Sequence, residues 1–350
     1  MTLKLFNMVT ENSITTEHDS YPLLQHRLSE TGIVIIGRNE GERLRRCISS
    51  IPRELLSRTI YVDSGSTDNS KIFAKNQGLI TYELDMSQHF TAARARNAGF
   101  NNLLKHYPEL RYVHFIDGDC SFAQGWINFA IQYLENHPEV AITCGQRREI
   151  HPNASVYNWL CDIEWNTPIG ETYACGGDFL VRTNVFKLVG GFKETLIAGE
   201  EPELCYRIRC SKKKIVRLNH DMTWHDANMH HFRQWFRRNM RAGYAFAEAV
   251  FLYRSQKDGY WRRELFRIVI WGITLPSLIF AGMFFKSWIL LISLIYPLQM
   301  IRISLKLKGN RKDIRYGFFM VLAKFPEAAG SINYIINRLT RSRRKLIEYK

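Results

Sequence analysis

One stretch constrains this chain more than any other: the apolar run YVHFI (residues 112–116) stops abruptly at Asp117-Gly-Asp119. A short β-branched and aromatic run of this kind reads as a buried strand. In an open α/β sheet, ligands bind in the crevice outside the carboxyl ends of the strands. Two hard carboxylate oxygens at such an end suit a divalent cation that shares its other positions with phosphates. Taken alone, the pair reads equally as solvated acids or as a cap for a following helix. The company it keeps decides.

That company is a series of strand-like runs alternating with helical patterns. GIVIIG (32–37) predicts a central strand, followed by a turn and a helix over 42–50 with Leu44, Cys47 and Ile48 on one face. TIYVD (59–63) and LITY (79–82) predict two more strands, residues 92–105 a helix, and 110–116 the strand into the aspartates. Further on, strands are expected at 140–143, 172–180 and 214–218, and helices at 157–165 and 203–210. Strands alternating with helices at short spacing argue for a parallel sheet wrapped by helices. Residues 1–30 are mixed and polar, without the apolar core of a signal peptide, and read as a poorly ordered leader.

Charge and hydropathy change together near residue 258. The 350-residue chain carries a formal charge of +15, and residues 258–350, with 17 Lys/Arg against 5 Asp/Glu, hold +12 of it. This basic excess surrounds the most apolar sequence in the chain: residues 268–285 and 287–301 carry no charge, with Lys286 between them. As helices they would be about 27 Å and about 22 Å long, against about 30 Å of hydrocarbon. The pattern predicts a membrane-associated helical hairpin with both flanks cytoplasmic, kinked at Pro276 and Pro297. The alternative is a buried hairpin of a soluble domain. Nucleic acid is not an expected partner, because the basic residues lie beside apolar segments. Seven scattered cysteines without Cys-x-x-Cys spacing predict reduced, mostly buried thiols.

Five motifs fall in a fixed order: GRNE (37–40), YVDSGSTD (61–68), AARARNAG (92–99), DGD (117–119) and GEEPELC (199–205). GGDFLVR (176–182) and VGGF (189–192) accompany them. Over residues 31–243 this ordered set resembles the inverting family 2 glycosyltransferases. The resemblance implies an α/β GT-A fold over residues 31–250, a basic membrane-associated helical region over 251–350, and transfer of a sugar from a nucleoside diphosphate sugar, UDP-linked by expectation. The implied acceptor is a hydroxyl of a lipid-linked or growing glycan, and the implied place is the cytoplasmic face of the inner membrane, in contact with its lipids.

The resemblance also assigns residues. Arg38, Asn39, Glu40, Asp63, Arg96 and Asp117 are implied to hold the donor, with Asp63 accepting from the N–H of the base. Asp117 and Asp119, with His225 of TWHD (223–226), are implied to hold Mg²⁺ or Mn²⁺. The family's acid pair before a helix corresponds to Glu200 and Glu201. Glu201 stands where the family usually has the Asp that removes the acceptor's proton, so the base here is one methylene longer; Glu200 is the second candidate. The bland reading of these glutamates is a helix start enriched in acid by the macrodipole. RRNMRAG (237–243) reads either as part of the site or as an amphipathic helix at headgroups. Two rival classes, a nucleotidyltransferase and a non-catalytic membrane scaffold with the same fold, are disfavoured by the missing glycine-rich phosphate loop and by the retained acids.

Overall fold

The computed structural model describes residues 27–254, 260–285, 287–307 and 313–340. Residues 1–26 of the expected leader, and Lys286 at the expected bend, lie outside the described residues. The order is β1 (Thr31–Gly37), α1 (Glu42–Ser49), β2 (Thr59–Asp63), α2 (Ser70–Asn76), β3 (Ile80–Glu83), α3 (Ala92–His106), β4 (Tyr112–Asp117) and β5 (Cys120–Phe122). It continues with α4 (Trp126–Asn136), β6 (Val140–Glu149), α5 (Val156–Trp165), β7 (Gly170–Glu171), β8 (Phe179–Arg182), α6 (Thr183–Leu188), α7 (Glu200–Cys210) and β9 (Lys214–His225).

β1 is apolar and β-branched along its length, and all but its last residue is buried, as a strand covered on both faces must be. It pairs in parallel with β2 on one side and β4 on the other. The register sets Gly37 opposite Asp63 and Ile36 opposite Asp117, so the ends of three strands deliver their polar residues to one edge. The full order is β3-β2-β1-β4-β8-β6-β9-β5, with β7 paired to β9. The sheet is mixed rather than wholly parallel, because β8 runs antiparallel to both β4 and β6.

Two expectations are corrected here. The strand expected over 172–180 is confined to Phe179–Arg182. Gly176 has φ +90 and ends the extended run before the strand starts. The strand expected over 214–218 runs on to His225, because β6 beside it carries register shifts that let β9 continue past its alternating pattern.

Helix α3 lies close on the sheet because residue 99 is glycine. A Cβ there would meet Val34 Cγ1 at 2.5 Å and Val62 Cγ2 at 2.8 Å. Thr91 caps the helix, accepting from the Arg94 N–H at 3.1 Å. Phe100, Phe115, Phe179, Phe186 and Phe192 pack together behind β4 and β8. All seven cysteines are free thiols and six are buried.

After β9 the chain becomes helical: α8 (Phe232–Leu252), α9 (Tyr260–Val269), α10 (Leu275–Phe285), α11 (Ile295–Lys306), α12 (Ile314–Leu322) and α13 (Lys324–Leu339). A wide turn, Ile270–Thr274, precedes Pro276 and accommodates the ring at the start of α10. Pro297 stands in the first turn of α11, where no intrahelical bond is lost. Trp261–Phe284, 24 residues, is the one helix among the described residues long and apolar enough to cross a membrane. The following apolar segment returns beside it: the Tyr296 hydroxyl donates to the Trp271 carbonyl at 2.8 Å, with ring centroids 5.7 Å apart.

The returning helix α13 packs along α8 at a close crossing. A side chain at Gly243 would collide with the Glu327 carbonyl, and one at Gly330 with that of Met240. The Ser331 hydroxyl donates to the Gly243 carbonyl at 2.9 Å across the same contact. Small residues that let two backbones approach in this way are the usual means of tight helix pairing.

Candidate active site

The sheet edge gathers most of the residues the sequence singled out. At the end of β2, Asp63 is buried and turned into its own loop: Oδ2 accepts from the Gly65 N–H at 3.1 Å and the Ser66 N–H at 3.0 Å, and Oδ1 from the Tyr61 hydroxyl at 3.2 Å. Asn39, at φ 56, bridges the first two loops. Its N–H donates to Ser66 Oγ at 2.9 Å and its Oδ1 accepts from the Thr67 N–H at 2.7 Å. Glu40 packs against Gly118 and is paired with Arg43 at 2.9 Å, while Arg38 is exposed at the rim. Within this first-loop motif, Asn39 and Glu40 thus shape the loops, and Arg38 faces outward.

Arg96 is the hinge of the site. It is only 3% exposed, and its two terminal nitrogens reach Asp117 Oδ1 at 2.7 Å and Glu200 Oε1 at 2.9 Å. Burial works against its charge, but the two carboxylates outweigh it and raise its pKa above the usual value. The next residue, Asn97, holds the VGGF segment, donating to the Phe192 carbonyl at 2.8 Å and accepting its N–H at 2.9 Å. One turn of α3 therefore fixes both the strand-end aspartate and the start of α7.

On the other side of Asp117, β-sheet register assembles a second group. His225 lies opposite Cys120 on β5 and opposite Glu149 on β6. Its Nε2 is 3.4 Å from Asp119 Oδ2, and its Nδ1 is 3.7 Å from Glu149 Oε2 without a hydrogen bond. Trp165, the last residue of α5, packs its ring 4.5 Å from the imidazole. Glu149 is held by the N–H groups of His151 at 3.1 Å and Ala227 at 3.0 Å. Glu149 lies on the side of the imidazole where a carboxylate orients a metal-binding histidine, though at 3.7 Å it accepts no hydrogen bond from it. Asp119, Cys120 and His225 bring ligand atoms within 4.8 Å of one another. Asp119 oxygen and His225 nitrogen suit a first-row divalent ion, so the residues present fit the cation that the strand-end acids suggest.

Behind both groups lies Asp178, fully buried, which the sequence reading quoted within a motif but gave no role. It accepts from the Asp117 N–H at 3.2 Å and the Thr223 hydroxyl at 2.8 Å, and pairs with Arg147 at 2.7 Å. Arg147 in turn lies over the Trp165 ring at 5.5 Å. Asp178 was missed because a charged residue inside a predicted strand reads as solvent-facing, and Arg147 and Glu149 because the strand expected at 140–143 runs on to Glu149. The one available signal was a dense charged run, QRRE (146–149), in a chain segment otherwise apolar.

The two adjacent glutamates at the start of α7 have different surroundings. Glu200 Oε1 is tied to Arg96. Glu201, 7% exposed, uses Oε1 to accept from the Cys175 N–H at 2.5 Å and from the thiols of Cys175 and Cys205, each at 3.0 Å. Burial raises the pKa of both thiols, so they are neutral donors. The second oxygen of each glutamate accepts no hydrogen bond from a described residue.

A sheet whose strand ends present Asp-x-Asp, a facing histidine and a pair of helix-start carboxylates defines a GT-A nucleotide-sugar transferase. The sequence pattern of the glycosyl transferase family 2 matches residues 32–196, so that segment is a family 2 glycosyltransferase domain. It is an enzyme that transfers a glycosyl group from a nucleotide sugar, which removes the nucleotidyltransferase and scaffold alternatives. Among solved structures, the mannosyltransferase PcManGT from Pyrobaculum calidifontis, in complex with GDP-Man and Mn²⁺, superposes with a TM-score of 0.55 at 14% identity, over 93% of this chain and 95% of that one. S. aureus TarS, residues 1–349, gives a TM-score of 0.49 at 12% identity, over 87% of this chain and 91% of that one. At such identities the first likeness shows the shared fold. No curated protein matches the chain.

Proposed function

We propose that this enzyme moves a sugar, with inversion, from a UDP-sugar to a hydroxyl of a lipid-linked or polysaccharide acceptor at the cytoplasmic face of the inner membrane, using Mn²⁺ or Mg²⁺. The observation that carries the reading is the meeting of Asp117, Asp119, His225 and the Glu200–Glu201 pair around one sheet edge, bridged by Arg96. Asp119 and His225, with Asp117, would hold the cation. Mn²⁺ is favoured because a histidine nitrogen serves it better than it serves Mg²⁺; the structural relative from Pyrobaculum was solved with the same ion. When bound, the cation supplies positive charge to the departing diphosphate.

The protein's own groups do the rest. Glu201 removes the acceptor's proton at its second oxygen while that hydroxyl oxygen attacks the anomeric carbon and the bond to the diphosphate breaks. Its first oxygen is anchored by neutral donors, so it gains a proton without losing an ion pair. Glu200 would have to give up Arg96 to do so, and its role is to hold that guanidinium beside the diphosphate. The loops stapled by Asn39 and Asp63 form the floor for the base. Residues 31–250 carry this chemistry, and residues 251–350 bring it to the bilayer by their exposed apolar helices. The test is donor hydrolysis by the purified chain across a panel of nucleotide sugars, with Mn²⁺, Mg²⁺ or chelator. Release of UDP from one donor only when metal is present is the expected result. No hydrolysis of any nucleotide sugar, with the protein folded and metal present, would reject it.

A further inference from the structure

Away from the sheet edge, α8 and the C-terminal helices enclose a cavity of about 710 Å³, lined among others by Glu164, Arg238, Arg267, Trp271, Arg302, Lys306 and Met320. Its charge is unbalanced. Five cations and three carboxylates line it, leaving a surplus of two. Three of the cations are paired: Arg238 with Glu164 at 2.7 Å, Arg267 with Glu264 at 2.5 Å and Lys324 with Glu327 at 2.6 Å. Arg302 and Lys306 have no acidic partner among the described residues, and both stand on α11 one turn apart.

The rim alternates in a particular way. Phe266 is 67% exposed beside Arg267, and Leu305 is 62% exposed beside Lys306. Ile301 likewise stands exposed beside Arg302. Each helix thus sets an exposed apolar residue beside an exposed cation that lines the mouth of the cavity at the same level. The apolar outer face continues through Phe280 and Met283 on α10, Leu294 before α11 and Leu298 on it. The far wall leads to the catalytic edge: α5 places Glu164 in the cavity and the next residue, Trp165, against His225 and Arg147.

We infer that this cavity holds the phosphate head of the acceptor, an amphiphile whose hydrocarbon chain leaves over the apolar rim while its sugar end faces the site past Trp165. Two unpaired cations match the charge of a phosphate monoester or diester linkage. Trp271, Ile303 and Met320 supply the apolar wall such a molecule needs at its junction of head and tail. Bulk phospholipid offers the same head chemistry, but a headgroup site for it has no need to share a helix end with the catalytic edge, as Glu164 and Trp165 do here. This inference rests on the lipid-linked acceptor proposed above, and its test does not depend on turnover.

The full chain is held in neutral dodecyl maltoside micelles with an alkyl phosphate whose diazirine sits on the carbons next to the phosphate, photolysed, and the labelled peptides are mapped. Labels are expected on the peptides of Trp271, Ile303 and Met320. Arg302→Ala with Lys306→Ala should lower labelling at least about ten-fold, the worth of one lost charge-assisted contact; both positions are exposed, and a thermal melt checks the fold. An unlabelled isoprenyl monophosphate should compete and inorganic phosphate should not. Equal competition by inorganic phosphate would overturn the amphiphile, and equal competition by phosphatidylglycerol would overturn the acceptor in favour of bulk lipid. Labels spread evenly over Phe280, Leu294 and Leu298 would overturn the cavity itself. A chain that labels as expected but hydrolyses no nucleotide sugar would refute the proposed donor chemistry and leave the binding site standing.

Discussion

Glu200 and Glu201 are neighbours with the same side chain, and the structure predicts opposite kinetic consequences for the same substitution. In Glu201→Gln, the amide oxygen can replace Oε1 and still accept from the Cys175 N–H and the two thiols. The local fold is therefore kept, and donor binding with it. What is lost is the second oxygen as a proton acceptor, which lowers kcat by about 10²- to 10⁴-fold, or about 3 to 5 kcal/mol in the barrier. In Glu200→Gln, Arg96 loses one of its two charged partners while remaining buried against Asp117. A charge-assisted bond becomes a neutral one, a cost of about 1 to 2 kcal/mol, expected as a rise of about 10-fold in donor KM with kcat changed by less than that. Steady-state UDP release, measured over a range of donor with acceptor fixed, separates the two. If Glu200→Gln removes kcat and Glu201→Gln only raises KM, the base is assigned to the wrong carboxylate and the reasoning from ion-pair cost fails.

Three further outcomes are expected. Asp119→Asn should weaken UDP binding in the presence of Mn²⁺ but leave metal-free binding unchanged by calorimetric titration; identical metal-dependent affinity would remove Asp119 as a ligand. Membranes carrying the full chain should retain it through a high-salt wash and release it to detergent, because burial of the exposed helices is not screened by ions as surface charge is; complete release by salt would leave only a peripheral basic contact. His114 is buried, accepts from Trp126 Nε1 at 2.8 Å, and has its pKa lowered to about 4 by loss of solvent. Its neutral form is favoured in the fold, so its contribution is complete above pH 6.5 and falls as pH drops toward 4, by about 3 kcal/mol in all. Denaturant midpoints of the parent and His114→Gln between pH 7 and 4 should therefore converge as pH falls, and parallel curves would contradict this.

How much could be read from the sequence depended on whether a residue's role is set by its neighbours in the chain or by register across the sheet. The parallel half was legible because β1, β2 and β4 are apolar runs ending in polar residues, and the alignment of those ends follows from parallel pairing. The mixed half was not. β9 extends seven residues beyond its expected end, and its bulged partnership with β6 is what sets Glu149 behind His225. No local pattern reports such a shift. Asp178 was quoted in a motif, yet its function as the shared acceptor for Asp117, Thr223 and Arg147 needs three segments folded together. Asp63 carries a second, local task besides the proposed one. It was read as a contact to the donor's base, and its carboxylate here holds the loop of Gly65 and Ser66, a local turn that an Asp before Ser-Gly-Ser encodes by itself. The apolar helices were plain from composition, but the return of Tyr296 onto Trp271 was fixed by packing.

The crossing of α8 and α13 at Gly243 and Gly330 has a consequence for reach. α8 begins seven residues after His225, so the helix that leaves the catalytic edge is the same one clasped, backbone to backbone, by α13. Such a joint has no side-chain padding to compress and little freedom to slide. The surface on which the apolar helices rest and the edge where the sugar changes hands are in effect two ends of one strut. An acceptor too short to cover that span would sit below the reacting atoms, and one too long would have to coil. For the lipid-linked acceptor proposed above, length would be metered by the skeleton of the protein, and a leucine at either glycine would force the crossing apart and change that span.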